Sequence, residues 1–397
     1  MSAKEFRRKY WEMEVGKGGI FADMVDETFT LTPYIATGAN RLQKPLWLNE
    51  EKLAPCVAAC PAGIPSHKRY QLLRDGKKDE ALRLVLEYSP LPASVCGELC
   101  PNLCMKACSR KFLDKPLDIK GLGKLSGEVT PPEPCHTTGR KVAVIGGGPA
   151  GLTAAWQLTL LGHQVVLYET EKQLGGKLLA AVAKGKLDQT ILDRDIARIS
   201  ASITSKTGVT VDSGLFSQLC KEHDGVIIAC GAQEKEGNGL SFLPASINHA
   251  NGKIKVNKMG QTDDLKVFAV GDVVTRGLAT HSIGSGRKGA DALSSLMMGH
   301  EYKQEKRPTI SYEQLNLVYY EAGQTPDSLT DEAQRCVSCG SCRDCHLCES
   351  ACYHKAITRQ ETENGEFEYL VDEQKCIGCG FCAGICPCGV WVMEDNG

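Results

Sequence analysis

The segment Lys141–Glu169, KVAVIGGGPAGLTAAWQLTLLGHQVVLYE, decides the fold. Val142–Ile145 is a short apolar run that reads as a buried strand, and Gly146, Gly148 and Gly151 follow it in a G-x-G-x-x-G arrangement. Pro149 and Ala150 open an amphipathic helix expected to reach about Leu161. Gln164–Tyr168 reads as a second strand, closed by Glu169. Glycines at these places permit a tight turn, close approach of backbone to a pyrophosphate and close helix–strand packing. The helix start adds free N–H groups and a positive dipole end. An acid about 20 residues further on is placed to accept ribose hydroxyls. Strand, helix, strand and terminal acid in register predict a Rossmann-like dinucleotide cradle in an α/β fold.

Working outward, the 397 residues suffice for two or three domains. Lys+Arg 46 against Asp+Glu 48 leaves the chain nearly neutral, which gives no pull toward nucleic acid or an anionic membrane surface. No apolar run approaches the roughly 20 residues of a membrane span. The start, MSAKEFRRKYWEMEV, lacks the apolar stretch of a secretory signal, so a cytoplasmic location is expected.

Twenty cysteines in a reducing compartment point to metal binding rather than disulfides. Six lie between Cys56 and Cys108 and eleven between Cys336 and Cys388, which leaves only Cys135, Cys220 and Cys230 in the long middle stretch. Cofactor ligands would avoid the middle of the chain in this way; disulfide cysteines would have no reason to. The expected organisation is an extended arm over 1–50, a helical iron–sulfur domain over 51–130, the nucleotide-binding domain over 140–300, a linker over 301–335 and a ferredoxin-like domain over 336–397.

The C-terminal spacing is the most specific. Cys342-x2-Cys345-x2-Cys348-x3-Cys352 is followed by Cys376-x2-Cys379-x2-Cys382-x3-Cys386-Pro387. Each run has the bacterial ferredoxin pattern, in which the fourth cysteine of one run ligates the other cluster. One [4Fe–4S] cluster is therefore expected on Cys342, Cys345, Cys348 and Cys386, and a second on Cys376, Cys379, Cys382 and Cys352. Tyr353 stands where the first run would usually have proline. A zinc site is the competing reading for any single C-x2-C pair.

The glycine segment, then Gly175-Gly176-Lys177-Leu178, Ile228-Ala229-Cys230-Gly231-Ala232 and Phe268-Ala269-Val270-Gly271-Asp272-Val273, resemble in order the flavoprotein core of the glutamate synthase small-subunit family. That family includes the N-terminal part of dihydropyrimidine dehydrogenase and ferredoxin–NADP oxidoreductases of electron-bifurcating systems. The resemblance implies FAD, with the Gly271-Asp272 turn near its ribityl and phosphate groups and a helix from about Ser285–Gly289 pointing at it. Cys56-x3-Cys60-Pro61 and Cys96-x3-Cys100-Pro101-x2-Cys104-x3-Cys108 resemble the family's two-cluster front module. The family's C-x2-C pair before the first of these is absent. Cys336 and Cys339 look like that pair moved to the other end. The expectation is that Cys336 and Cys339 join Cys56 and Cys108 on one cluster, while Cys60, Cys96, Cys100 and Cys104 hold another.

One departure bears on function. The family inserts a nicotinamide-binding Rossmann unit between the A-[TC]-G-A and G-D segments, but only 34 residues, Gln233 to Lys266, stand there. They contain no glycine fingerprint, and a βαβ unit alone needs about 30 residues. The sequence therefore reads as an FAD- and iron–sulfur-dependent electron relay, a subunit of a hetero-oligomer that links a catalytic partner to ferredoxin or another carrier. The alternatives are an NAD(P)H:ferredoxin oxidoreductase, a flavin-dependent reductase of a small substrate, and a scaffold subunit whose cofactors only stabilise it. Dense cluster motifs suit anaerobic physiology. No acid–base pair near the flavin segments announces a catalytic residue. His281 and His346 read as capping and loop positions.

Overall fold

The computed structural model describes residues 43–233, 239–302, 306–363 and 365–395. These fall into two units, one built from Ala54–Thr309 and Ala322–Val337, the other from the described part of Met1–Leu53 together with Ile310–Glu321 and Ser338–Gly397. Of the expected arm, 1–42 lie outside the described residues, and Gln43–Trp47 is strand β1 of the smaller unit.

In the larger unit the cysteine-rich front is helical. A helical turn at Pro55–Ala58 leads into α1 (Ser66–Arg74), α2 (Lys78–Arg83), an eight-residue π-helix at Pro92–Leu99, α3 (Leu103–Ala107) and α4 (Ile119–Leu125). Helices α1 and α2 are separated at Gly76, whose φ of +76° is the left-handed ending that glycine accepts.

The Rossmann-like part follows: β2 (Lys141–Ile145), α5 (Pro149–Leu160), β3 (Gln164–Glu169), α6 (Lys177–Ala183), α7 (Gln189–Ser200), β4 (Thr204–Thr207), α8 (Ser213–Glu222) and β5 (Gly225–Ile228). After a short hairpin, β6 (His249–Ala250) with β7 (Lys253–Ile254), come β8 (Val267–Ala269) and the long helix α9 (Ala279–Met297). The parallel sheet has order β4-β3-β2-β5-β8. It is the one parallel sheet among the described residues, and the stretch between β5 and β8 contributes only the hairpin and turns.

Two apolar clusters cover the faces of this sheet. Val142, Val144 and Ile227 pack with Leu152, Trp156, Ile283 and Leu293 and also with Ile64, Val85, Leu86 and Val95 of the cysteine-rich front. Ala143, Val226 and Ile228 pack with Phe216, Leu219 and Phe242 on the other face. Buried polar bonds fix the first arrangement: Trp156 Nε1 donates to the Leu86 carbonyl at 2.7 Å, and Asp195 of α7 accepts from the Ser94 hydroxyl at 2.6 Å and its N–H at 2.9 Å. The front and the sheet thus share one core. The stretch 301–335, read as a linker, is partly built into the units. Its residues Ile310–Glu321 belong to the smaller one, and its helix α10 (Leu329–Gln334) buries Ala333 against Tyr70, Leu73 and Leu117 in the larger.

In the smaller unit β1 pairs antiparallel with β11 (Trp391–Asp395), so that Trp47 faces Trp391, and β9 (Ile357–Glu361) pairs with β10 (Phe367–Val371). Two short helices, α11 (Leu347–Ala351) and α12 (Phe381–Ile385), accompany them. Its core holds Cys342, Cys348, Cys382, Cys386 and Cys388 among Ile357, Tyr369, Val390 and Trp391. Among the described residues no helix is long and apolar enough to cross a membrane.

Candidate nucleotide cradle and cysteine groups

The C-terminal ends of β2, β3 and β5 open onto a cavity of ≈ 600 Å³ in the larger unit, a volume suited to a nucleotide-sized ligand. Gly146, Gly148, Pro149, Ala150, Glu169, Gly176, Lys177, Gly231 and Asp272 all line it. Gly151, Gly175 and Gly271 stand behind this lining. A β-carbon on Gly151 would lie 1.9 Å from the Gly146 carbonyl oxygen, so this glycine serves the close helix–strand approach rather than the ligand. Gly148 caps α5 with Pro149 in the first turn, and nothing lies within 4 Å of where its β-carbon would be. That open cradle, the free N–H groups of α5 and an acid at its rim fit a dinucleotide phosphate and ribose.

Glu169 is held by its own surroundings. Its Oε2 accepts the Gly147 N–H and its Oε1 accepts from Glu171 at 2.9 Å. Asp272 is 8% exposed and accepts from the Gly277 N–H at 3.2 Å and the Ser282 hydroxyl at 3.4 Å. Lys177, two-thirds exposed, closes over it as an ion pair. The glycine turn and the β8 turn are thereby linked across the cavity.

Helix α9 begins at Ala279, six residues before the expected start, and the His281 imidazole reaches back to accept the Leu278 N–H at 3.3 Å. Its first turn therefore reaches the cavity through Ala279 and Ser282. Leu99, Tyr168, Cys230 and Phe242 line the cavity too and were not foreseen. Leu99 matters most, since its neighbour Cys100 belongs to the cysteine-rich front. On the same side, a β-carbon on Gly284 of α9 would meet the Pro61 carbonyl, next to Cys60, at 2.0 Å.

The cysteines group as follows. Cys60, Cys96, Cys100 and Cys104 are electrostatic neighbours: burial, reinforced by the other thiols, pushes Cys96 well above its ordinary value and Cys104 up to about 12. Burial raises the Cys60 thiol above its ordinary value, offset in part by the nearby backbone N–H groups of Ile64, Ala62 and Gly63. Cys108 and Cys336 share an apolar cluster against which Cys56 and Cys104 pack. Cys339 is part of the smaller unit.

There, burial first and then Cys386, Cys348 and Cys345 push Cys342 up to about 12, while Cys382 is raised to about 12 by burial and by Cys379, Cys376 and Cys348. Cys352 accepts the Ala356 N–H at 3.2 Å. Cys388 is buried beside Cys386 and Cys342.

The loops repeat one backbone. Asp344 and His346 have φ of 54° and 58°, Gly378 and Gly380 have 71° and 77°, and Ser338 and Gly340, flanking Cys339, have 55° and 72°. Left-handed residues at this spacing turn successive N–H groups inward into the kind of nest that surrounds iron–sulfur sites. His346 pays for its conformation with a 2.7 Å bond from Nδ1 to Glu349. Among the described residues no three His, Cys, Asp or Glu side chains converge on a single-ion position. Buried thiols of raised pKa release their protons when metal binds.

Comparison with known proteins agrees with this division. Residues 50–131 match the family model described as dihydropyrimidine dehydrogenase domain II, 4Fe-4S cluster, residues 144–203 an NAD(P)-binding Rossmann-like domain, and residues 341–390 a 4Fe-4S dicluster domain. The chain is 35% identical over 200 residues to an NAD-dependent dihydropyrimidine dehydrogenase subunit PreT of Salmonella typhimurium, covering 48% of each. It is 32% identical over 234 residues to an NADP(+)-dependent formate dehydrogenase subunit beta of Moorella thermoacetica, covering 48% of this chain and 32% of that one. A glutamate synthase [NADPH] small chain of Mycobacterium tuberculosis is 30% identical over 262 residues, covering 61% and 52%. The chain thus spans between a third and a half of these relatives' own length. With an iron–sulfur front, a Rossmann-like middle and a dicluster end, the chain is similar over part of its length to glutamate synthase small chains and PreT-type subunits.

Proposed function

We propose that this chain is an electron-transfer subunit that binds FAD in the β2–β3–β5 cradle and several [4Fe–4S] clusters on its cysteine groups. The observation that carries this reading is the junction of cradle and thiols in one unit. Leu99 lines the cavity next to Cys100, and Gly284 of the cavity-wall helix touches Pro61 next to Cys60. Gly146, Gly148 and the start of α5 would hold the pyrophosphate, Glu169 the adenosine ribose, and Asp272 with Lys177 the ribityl and phosphate side. Cys60, Cys96, Cys100 and Cys104 would hold the cluster nearest the cavity, with Cys56, Cys108 and Cys336 contributing to another. Cys342, Cys345, Cys348 and Cys386, and Cys376, Cys379, Cys382 and Cys352, would hold the two of the dicluster domain. Flavin exchanges two electrons or one and each cluster exchanges one, which is the chemistry of a relay.

The partner is a catalytic or redox subunit, with ferredoxin as one candidate carrier; the relatives, which are themselves subunits, support a hetero-oligomer. A reducing, cytoplasmic setting suits a chain whose cysteines serve as cluster ligands. Direct use of a nicotinamide nucleotide is disfavoured by the β5–β8 stretch, which forms only a hairpin and turns among its described residues. The second reading, an NAD(P)H-dependent oxidoreductase, is favoured by the relatives' names.

An anaerobic visible spectrum during addition of NADH, NADPH and then dithionite decides between them. Bleaching of flavin and cluster bands by dithionite alone is the expected result. Bleaching by either nicotinamide within seconds would make the chain itself a reductase. Absence of flavin bands from the purified chain would overturn the FAD assignment.

A further inference from the structure

Arg69, in α1, is 1% exposed. Its Nε donates to the Ala81 carbonyl at 2.8 Å, and its Nη2 donates to the Leu122 carbonyl at 3.0 Å and the Ser126 hydroxyl at 2.7 Å. All three acceptors are neutral. Among the described residues no carboxylate pairs with it.

The other buried arginines differ in this respect. Arg110 is paired with Asp114, Arg198 with Asp195, and Arg335 with both Asp114 and Glu332. A guanidinium removed from water without a counter-anion is heavily penalised, and neutral carbonyls repay only part of the loss. An arginine guanidinium is charged at neutral pH. The neighbouring groups that can supply an anion are Cys96 and Cys104: Leu122, which accepts from Arg69, precedes Gly123, where a β-carbon would lie 3.1 Å from the Cys96 β-carbon, and Cys104 packs against the cluster that holds Tyr70 and Leu122. As thiols they are neutral; as cluster ligands they belong to a thiolate quartet whose total charge is negative.

We propose that Arg69 is the fixed countercharge of the cluster held by Cys60, Cys96, Cys100 and Cys104, and that it raises the reduction potential of that cluster relative to the others. This rests on the reading that those four cysteines hold a cluster. Reduction adds one electron to the cluster and no bond is made or broken. A positive charge locked within the fold favours the reduced form. Nearness to the flavin cradle gives the charge its purpose, because this cluster is the first acceptor or last donor beside the cavity. Arg69 is in this sense a tuning residue, positioned by Ala81, Leu122 and Ser126, rather than a group that reacts.

The test uses the full chain purified anaerobically with its cofactors, as wild type and as Arg69→Met, Arg69→Lys and Ser126→Asp. Iron and sulfide content are measured first, then cluster potentials by titration followed with electron paramagnetic resonance. Arg69→Met should move one cluster to more negative potential and leave the rest in place, and Arg69→Lys should restore most of that shift. Ser126→Asp leaves Arg69 in position and sets a carboxylate against it, so it should move the same cluster in the same direction. That second variant decides the matter where Arg69→Met fails to fold or to keep its iron. Full iron content with unmoved potentials in Ser126→Asp overturns the proposal, as does an Arg69→Lys shift as large as that of Arg69→Met, since the role would then be packing. Cys96→Ser should lose one cluster's iron. If it does not, the cluster assignment itself has failed, which is a different outcome from a cluster whose potential ignores Arg69.

Discussion

Gly284, in the middle of α9, lies against Pro61, the residue after Cys60, so closely that a β-carbon would sit 2.0 Å from the Pro61 carbonyl oxygen. The atoms such a β-carbon would meet are all backbone, so they cannot swing aside as a flexible side chain would. Arg287, one turn on, reinforces the contact by donating to the Ala62 carbonyl at 2.8 Å and stacking on Tyr88. Gly284→Ala should therefore push the Cys60 loop away from the helix that walls the cavity. The expected cost is about 1–3 kcal/mol of stability, as for overpacking elsewhere, with partial loss of iron from one cluster and a full complement of flavin. Denaturant unfolding together with iron and flavin assays checks this, and wild-type stability in the variant would show that the loop yields.

Glu169 is oriented by the Gly147 and Glu171 N–H groups before any ligand arrives. Glu169→Gln keeps the shape and removes the charge. A charge-assisted hydrogen bond contributes about 1.5–3 kcal/mol, so flavin affinity should fall by roughly 10- to 100-fold while iron content stays at the wild-type level. Flavin released on dilution, followed by its fluorescence, is the measurement. Equal loss of flavin and iron would mean that Glu169 serves the fold as a whole.

What was legible in the sequence is what is local. The Gly146–Gly151 turn needs no distant information, since the glycines answer to a helix and strand within the same 29 residues. Cysteine runs are legible for the same reason: their spacing matches the left-handed residues between the cysteines, Asp344 and His346 in one loop and Gly378 and Gly380 in the other. The pairing of Gln43–Trp47 with Trp391–Asp395 joins strands nearly 350 residues apart, and no periodicity announces it. Leu99 looked like part of a cysteine module and Phe242 like filler, and tertiary packing brought both to the cavity. Helix α9 was placed late because its N-cap position is Leu278, which gives no capping signal, and the Leu278 N–H is met instead by His281 from within the helix. Arg69 gave no signal at all. A lone arginine on a polar helix reads as solvated, and only burial reveals that it lacks an acid.

Asp114 supports the region around Cys108 and Cys336. The Arg110 hydrogen bond, more than the charge of Arg110 or the bond from Arg335, holds its carboxyl below the usual carboxylate range. Asp114 also accepts from the Gly323 and Lys115 N–H groups, and Arg335 is shared with Glu332. A depressed folded-state pKa means stability that is present above the unfolded value, about 4, and lost as pH falls through the folded one. The chain should accordingly lose stability on acidification below about pH 4. Asp114→Asn should be less stable at pH 7 and should show a shallower loss in acid. Melting curves at successive pH values test this, and parallel curves for the two proteins would remove Asp114 from the acid transition.

Tyr70 follows Arg69 in α1 and meets a different cysteine group. It is 1% exposed, packed with Cys108 and Cys336, and its hydroxyl has no hydrogen-bond partner among the described residues. Burial, then Glu332 and Cys336, push its pKa well above the ordinary value, so it stays a donor. An unsatisfied buried donor costs about 1–3 kcal/mol. With a cluster on Cys108 and Cys336, sulfur would be its acceptor, and a hydrogen bond to sulfur raises a cluster's potential. Tyr70→Phe should then have effects of opposite sign in the two forms. After chelation of the iron, the variant should be as stable as the wild type or more so, because the unpaired hydroxyl is gone. With iron in place, it should be less stable and one cluster should titrate at more negative potential. Thermal unfolding of both forms and a potentiometric titration give the answer. Equal destabilisation of the two forms with unmoved potentials would assign the hydroxyl to the fold and leave the sulfur without it.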